Sequence, residues 1–313
     1  MKKRTKLGLL SIIALAVALL IGGTSASTKI KYVQSSAPTL FFHGGGSNYH
    51  AEEHMVNAAK AAGVTKTVIV AFVSKTGKVR LQGTIPKNAV NPIIEVNYED
   101  NRQLDYEKHG EWAKNVVVAL QKQYHFHEVK MVGHSLGNIS LLYYMLEYGQ
   151  DKRLPKLVKQ VDIAGHFAGL NFSGIPDGIR QPAGMTLDQN GKPNKMNTTY
   201  TEMTKLRHTF PKHQVDVLNI YGDTGGATDG TVPNVSSKSL RYLIAGRAKS
   251  YTEKKFTGKR AKHTLLHNNT QVDQTMITFL WGEIRGVNGL AYRKVVFVTN
   301  LLHRASIAQL FLA

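Results

Sequence analysis

Apolar and polar residues follow one another along the chain in short blocks that predict strands and helices in turn. Strands are expected where apolar and β-branched residues run together, at residues 39–42, 67–73, 92–96, 129–132, 157–164 and 215–221. Helices are expected where apolar residues recur at helical spacing, at residues 52–62, 104–124, 139–148 and 271–281. A polar turn at 75–78 and a short run at 79–81 predict a hairpin with the strand before them. This alternation predicts an α/β fold, with a mostly parallel central sheet covered by helices on both faces.

Two segments depart from the alternation. Residues 171–208 lie between two predicted core strands, are rich in Gly, Pro, Asn and Thr, and show little apolar periodicity. Such a long irregular connection is typical of a functional loop, so a lid over the site is expected there. The tail at 283–313 has apolar stretches with no evident packing partner, and its role stays open. The predicted domain therefore covers residues 36–282.

The first 26 residues have the pattern of a secretory signal peptide. Four basic residues, at positions 2, 3, 4 and 6, precede an uncharged apolar run at 7–21, and small residues follow at 22–27. The apolar run is shorter than the roughly 20 residues that a membrane-spanning helix needs. We therefore expect a secreted or cell-surface protein, and an uncleaved N-terminal anchor is the alternative.

The amino-acid composition excludes some types of active site and indicates what the protein could bind. The chain has 313 residues, 42% of them hydrophobic, which is enough for a sizeable core. The absence of cysteine excludes disulfides, thiolate metal sites and a cysteine nucleophile. The formal net charge of +19 is compatible with binding to anionic surfaces, such as a cell-wall polymer or a membrane, and the alternative is that the charge only keeps the protein in solution. No cofactor, metal ion or nucleic acid is expected to bind, and the oligomeric state stays open.

Residues 133–137 read Gly-His-Ser-Leu-Gly, between a predicted strand and a predicted helix. A nucleophilic serine on a sharp strand-to-helix turn needs neighbours without a Cβ atom, which the two glycines provide. Ser135 is therefore the candidate nucleophile. A purely structural tight turn is the alternative.

A serine nucleophile needs a histidine base and an acid that orients it, and in this fold class they follow in the order serine, acid, histidine. Asp229, in the sequence Asp-Gly-Thr-Val-Pro after a late strand, is the preferred acid, and Asp223 is the alternative. His267 is the preferred base because it lies nearest the start of the last predicted helix. His263, four residues earlier, is the alternative that the sequence leaves open.

Two backbone N–H groups are candidates for an oxyanion hole. One belongs to Leu136, directly after the nucleophile, and the other to Gly45 in the loop His-Gly-Gly-Gly-Ser-Asn at 43–48. Small residues there let the backbone approach a substrate oxygen. The same loop lacks the lysine and the spacing of a phosphate-binding P-loop.

These motifs together resemble the α/β-hydrolase superfamily over residues 36–282, and more narrowly the secreted cell-surface α/β-hydrolases of Gram-positive bacteria. The resemblance includes the closing Phe-Leu-Trp-Gly at 279–282. It implies a serine hydrolase that cleaves a small-molecule or lipid ester through an acyl-enzyme, with Ser135 as nucleophile, Asp229 as acid and His267 as base. The alternatives are a non-catalytic surface-binding protein on the same scaffold, or an acyltransferase or amidase that uses the same three residues.

Overall fold

The computed structural model describes residues 32–282. Their centre is a sheet of eight strands in the order β3-β2-β4-β1-β5-β6-β7-β8. The strands are β1 (Thr39–Phe42), β2 (Val68–Val73), β3 (Val79–Gln82), β4 (Ile93–Tyr98), β5 (Glu128–His134), β6 (Lys156–Ile163), β7 (Asp216–Asp223) and β8 (Ser250–Thr257). All neighbouring strands are parallel except β3, which forms the predicted antiparallel hairpin with β2.

Helices cover both faces of the sheet. They are α1 (Glu53–Ala61), α2 (Tyr106–Tyr124), α3 (Gly137–Tyr148), α4 (Thr198–Met203), α5 (Leu206–Thr209), α6 (Asn234–Lys238), α7 (Leu240–Ile244), α8 (His263–Leu266) and α9 (Thr270–Trp281). The predicted α/β architecture with a mostly parallel sheet is thereby confirmed.

The alternation of side chains along β1 shows how the sheet divides the core. Leu40 and Phe42 are buried among residues of α2 and α3. Phe41 points to the opposite face and is buried with residues of α1 and α9. Because both faces of this strand are buried, its sequence is continuously apolar, which is why the strand is recognisable from sequence.

Strand β8 has no counterpart in the sequence prediction. It pairs with β7 along its whole length, from Ser250 to Thr257, at the edge of the sheet. Its sequence, Ser-Tyr-Thr-Glu-Lys-Lys-Phe-Thr, carries charges, and Phe256 is its one buried residue. An edge strand of this kind has no apolar run to reveal it, and charge on an edge strand also prevents pairing with other chains.

Residues 171–208 connect β6 to the segment before β7, and they contain α4 and the first part of α5. Ile175, Ile179 and Met185 from this connection are buried in the same core as α2 and α3. Phe172 is one of its exposed apolar residues. The predicted signal peptide at 1–26 and the tail at 283–313 lie outside the described residues. Among residues 32–282, no helix combines the length and the apolar character needed to cross a membrane.

Candidate active site

Ser135 lies on the turn between the end of β5 and the start of α3. Its φ angle is +52°, in the left-handed region that residues with a side chain rarely adopt. The Ser135 N–H donates to the carbonyl of Ile163 at 2.9 Å, which fastens the turn to the end of β6. The side chain is half-buried and stands at the carboxyl edge of the parallel strands, where α/β proteins bind ligands.

The two glycines of the motif are required by close packing. A Cβ atom at position 133 would lie 2.8 Å from the backbone of Asn138. A Cβ atom at position 137 would overlap the carbonyl oxygen of Phe42 on β1. The turn therefore packs against Asn138 and against β1 only because these two positions have no side chain.

Asn138 locks the turn and was not identified from the sequence. Its Nδ2 donates to the carbonyls of Ser135 at 2.8 Å and Ile163 at 2.9 Å, and its Oδ1 accepts from the Ile163 N–H at 3.2 Å. The side chain is fully buried. A Gly-x-Ser-x-Gly-Asn sequence is the signal that could have indicated this residue, because Asn pairs readily with backbone groups.

The imidazole that reaches Ser135 belongs to His263. Its Nε2 lies 2.9 Å from the Ser135 hydroxyl, and its Nδ1 lies 2.8 Å from Oδ2 of Asp229. With Nδ1–H donating to the carboxylate, Nε2 is left as the acceptor of the serine proton. These bonds form the geometry of a serine–histidine–acid triad.

The assignment of His267 as the base is corrected by this geometry. Nδ1–H of His267 donates to the carbonyl of Ala51 at 2.6 Å, and its ring packs on that of His134 with centroids 4.4 Å apart. His263 is the first residue of α8 and His267 follows its last residue. Four residues of helix displace a side chain by about 6 Å along the axis, so only one of the two imidazoles can meet the serine.

Asp229 is positioned by its own turn. Its Oδ1 accepts the N–H groups of Thr231 at 2.9 Å and Val232 at 2.7 Å, so Oδ2 is free to face His263. The alternative acid, Asp223, accepts the N–H of Gly225 at 3.0 Å and pairs with Lys255 at 3.4 Å. The structure thus brings Asp229 into the site and places Asp223 at an ion pair beside it.

The loop at 43–48 approaches Ser135 closely. A Cβ atom at Gly44 would lie 3.1 Å from Cβ of Ser135, and one at Gly45 would lie 3.2 Å from the Leu136 side chain. Within residues 32–282, the N–H groups of Gly45 and Leu136 donate no hydrogen bond, so both are free for a substrate oxygen.

His43 holds this loop in place. Its Nδ1–H donates to the Gly44 carbonyl at 2.8 Å, and its Nε2 accepts the Tyr98 N–H at 3.1 Å. Burial lowers the pKa of His43, so the ring stays neutral and keeps both bonds. His43 is therefore a structural support for the loop and not a proton carrier.

His134, between Gly133 and Ser135, connects the serine turn to His263. Its Nε2–H donates to the His263 carbonyl at 3.2 Å, and its ring lies 5.0 Å from that of His263, centroid to centroid. Burial, followed by the charges of His267 and His263, holds the pKa of His134 well below its usual range. A neutral His134 adds no positive charge next to the imidazolium that would form on His263.

No group of three or more metal-binding side chains is found within residues 32–282. The sequence His-Ala-Glu-Glu-His at 50–54 lies at the start of α1. There, His50 pairs with Glu53 at 2.6 Å and His54 pairs with the buried Asp273 at 3.0 Å. These are pairwise contacts and not a convergent ligand set.

Two solved structures resemble this fold over most of its length. The product of the lin2722 gene of Listeria innocua is 26% identical, with a TM-score of 0.69, over 82% of this chain and 96% of that one. A candidate cell surface hydrolase from Lactobacillus plantarum is 20% identical, with a TM-score of 0.61, over 77% of this chain and 88% of that one. None of the curated proteins matches the sequence.

A family model described as "Alpha/beta hydrolase of unknown function (DUF915)" matches residues 26–283, which include all eight strands and every residue of the site. The chain belongs to this family of α/β-hydrolases.

Proposed function

We propose that this protein is a serine hydrolase that cleaves carboxylic esters through an acyl-enzyme intermediate. The observation that carries the proposal is the continuous hydrogen-bonded chain from the Ser135 hydroxyl through His263 to Asp229, with distances of 2.9 and 2.8 Å. A hydroxyl in this arrangement can lose its proton to the imidazole as it attacks a carbonyl carbon.

In the proposed reaction, Ser135 Oγ attacks the ester carbonyl while His263 Nε2 takes the hydroxyl proton. Asp229 stabilises the imidazolium through its bond to Nδ1–H. His263 then returns the proton to the leaving alcohol, and the acyl group stays on Ser135 as an ester. Water, activated by the same imidazole, releases the acid in the second half of the reaction.

The N–H groups of Gly45 and Leu136 are proposed to stabilise the negative oxygen of the tetrahedral intermediate. Loss of one such donor in comparable enzymes costs about 3 kcal/mol of transition-state stabilisation. The proposal is supported by the free N–H groups of both residues in the described part of the chain and by the close approach of their loop to Ser135.

The segment at 171–208 is proposed to act as a lid and to form part of the acyl pocket. It follows the end of β6, whose Ile163 carbonyl is bonded to the Ser135 N–H. Phe172 exposes an apolar side chain on this segment, and Ile175 and Ile179 are buried and attach it to the core. The expected substrate is therefore a small-molecule or lipid ester.

A location outside the cell or at its surface is part of the proposal. It is supported by the basic, apolar and small-residue sequence of the first 26 residues. Four basic residues of that segment contribute to the net charge of +19, and the rest of the chain remains strongly basic, which supports association with an anionic cell-wall polymer or membrane surface.

The test uses a fluorophosphonate probe, which reacts with activated serines. We expect the wild-type protein to be labelled and Ser135→Ala to remain unlabelled. A parallel panel of para-nitrophenyl esters of increasing acyl length, with a para-nitroanilide, separates ester from amide cleavage. Equal labelling of wild type and Ser135→Ala would refute the assignment of the nucleophile.

A further inference from the structure

A cleft of about 420 Å³ opens at the ends of β2, β3 and β4, apart from the serine site. Its lining includes Phe72, Ser74, Lys78, Arg80, Asn97 and Glu99. None of these residues takes part in the reaction proposed above. The lining combines apolar side chains, Phe72 and Val73, with two cations, one carboxylate and neutral polar groups.

The strand register places the cleft at the height of the nucleophile. Phe72 of β2 pairs with Asn97 of β4. Val96, the residue before Asn97, is level with Phe42 of β1, and Phe42 is level with Gly133 of β5. Asn97 is therefore level with the residue just before Ser135. Three strand spacings separate β2 from β5, which is about 14 Å along the sheet edge.

The oxyanion loop at 43–48 contacts Ser135 through Gly44, where a Cβ atom would lie 3.1 Å from the serine Cβ. Tyr49, the residue directly after this loop, donates its N–H to Asn97 Oδ1 in the cleft at 3.2 Å. Arg102 lies against the same loop, because a Cβ atom at Gly46 would be 3.1 Å from its guanidinium. The Arg102 guanidinium therefore lies beside this loop.

Lys78 and Arg80 give the cleft a positive charge. Both side chains are exposed, and among residues 32–282 neither has a carboxylate within 4.0 Å. Arg80 is held with its guanidinium 4.4 Å from the centre of the Phe72 ring and donates to Gln82 at 3.2 Å. Glu99 contributes one negative charge to the lining, and its Oε2 accepts the Lys75 N–H at 3.2 Å. Two cations against one carboxylate leave an excess of positive charge.

We propose that this cleft binds an anionic group, a carboxylate or a phosphate, carried by the ester substrate at a distance from the scissile bond. This inference rests on the proposed function, because it assigns a substrate class to the same serine site. The anion would lie between Lys78 and Arg80, and the linking chain would pass the oxyanion loop beside Arg102.

The test compares matched esters that differ only at the far end of the acyl chain. The para-nitrophenyl monoester of dodecanedioic acid carries a terminal carboxylate, and para-nitrophenyl dodecanoate is its neutral match. We expect a lower KM for the anionic ester, with kcat nearly unchanged, since the remote contact is present in both substrate and transition state. Hexanoate and hexanedioate monoesters form a second pair that is too short to reach the cleft, and it should show no preference.

Variants identify the residues responsible. Lys78→Ala and Arg80→Ala should each raise KM for the long anionic ester by about two- to fivefold, the range of an exposed ion pair. KM for the neutral dodecanoate should stay constant in both variants. Lys66→Ala is the matched control, because Lys66 is exposed at the opposite end of β2. An ω-phosphono ester of the same length distinguishes phosphate from carboxylate recognition.

Two results would overturn the inference. One is equal KM values for the anionic and neutral long esters. The other is a rise in KM in Lys66→Ala as large as in Lys78→Ala and Arg80→Ala, because the preference would then come from the general positive charge of the protein. Hydrolysis of para-nitrophenyl acetate reports the proposed function separately. Calorimetric binding of the long monoester to Ser135→Ala, with and without Lys78→Ala, tests the cleft even if no ester is cleaved.

Discussion

Replacing Asp229 by Asn keeps the shape of the side chain and changes the group that faces His263. In the wild type, Oδ1 of Asp229 accepts the N–H groups of Thr231 and Val232, and Oδ2 faces Nδ1 of His263. Asn has one oxygen, and the two backbone donors will retain it at the Oδ1 position. The amide NH2 must then point at His263, which turns Nδ1 into an acceptor and moves the ring proton to Nε2.

A proton on His263 Nε2 faces the Ser135 hydroxyl, so the imidazole can no longer accept the serine proton. We expect kcat of Asp229→Asn to fall by about 10⁴-fold, the loss known for the same substitution in a serine protease triad. That corresponds to about 5.5 kcal/mol of activation free energy. KM should change little, because the carboxylate does not contact the substrate.

The assay is hydrolysis of para-nitrophenyl acetate, with the melting temperature measured on the same samples. Asp223→Asn is the matched control, since Asp223 leaves the same strand but pairs with Lys255. We expect this control to keep its activity within about twofold, because an exposed ion pair contributes little. If kcat of a folded Asp229→Asn variant stayed within tenfold of the wild type, the proposed role of Asp229 would be refuted.

Two further predictions follow from the positions of His263, His267 and Glu52. His263→Ala should reduce kcat by about 10⁶-fold, as loss of the base does in a comparable triad, whereas His267→Ala should keep kcat within about tenfold; an equal loss in both variants on para-nitrophenyl acetate would contradict the assignment. Burial, followed by the nearby Glu95, raises the pKa of Glu52 to about 8. Native Glu52 therefore retains a proton that the unfolded chain releases, so between about pH 5 and 8 the wild type should lose about 1.4 kcal/mol of stability per pH unit from this group. Glu52→Gln should lessen that loss, as measured by chemical denaturation across this pH range, and an unchanged pH dependence would show that Glu52 ionises freely.

Sequence predicts the parts of the fold in which a local pattern of residues is compatible with only one local structure. The strand at 39–42 is apolar throughout because both of its faces are covered, as the opposite burial of Phe41 and Phe42 shows. Gly133 and Gly137 indicate the serine turn because a side chain at either position would meet backbone atoms. In both cases, packing restricts the residue type at the position itself, so the sequence at that position indicates the local structure.

The choice between His263 and His267 could not be made in this way. Both rings lie beside His134, with centroids 5.0 and 4.4 Å from it, and both follow Asp229 in the chain. What separates them is position along α8 relative to Ser135, which depends on how the turn after β8 enters the site. Because β8 is not predicted from the sequence, the position of α8 relative to Ser135 could not be predicted either.

Backbone bonds hold the site together independently of the side chains that react. The His263 N–H donates to the Asp229 carbonyl at 2.9 Å, and the His263 carbonyl accepts from His134 at 3.2 Å. His134 is thus bonded to the His263 carbonyl, and His263 is bonded to Asp229 through its main chain. These bonds do not involve the Asp229 side chain, so in Asp229→Asn we expect His263 to remain in place while its proton moves to the other nitrogen. The expected loss of activity then measures the placement of one proton and not the loss of a folded site.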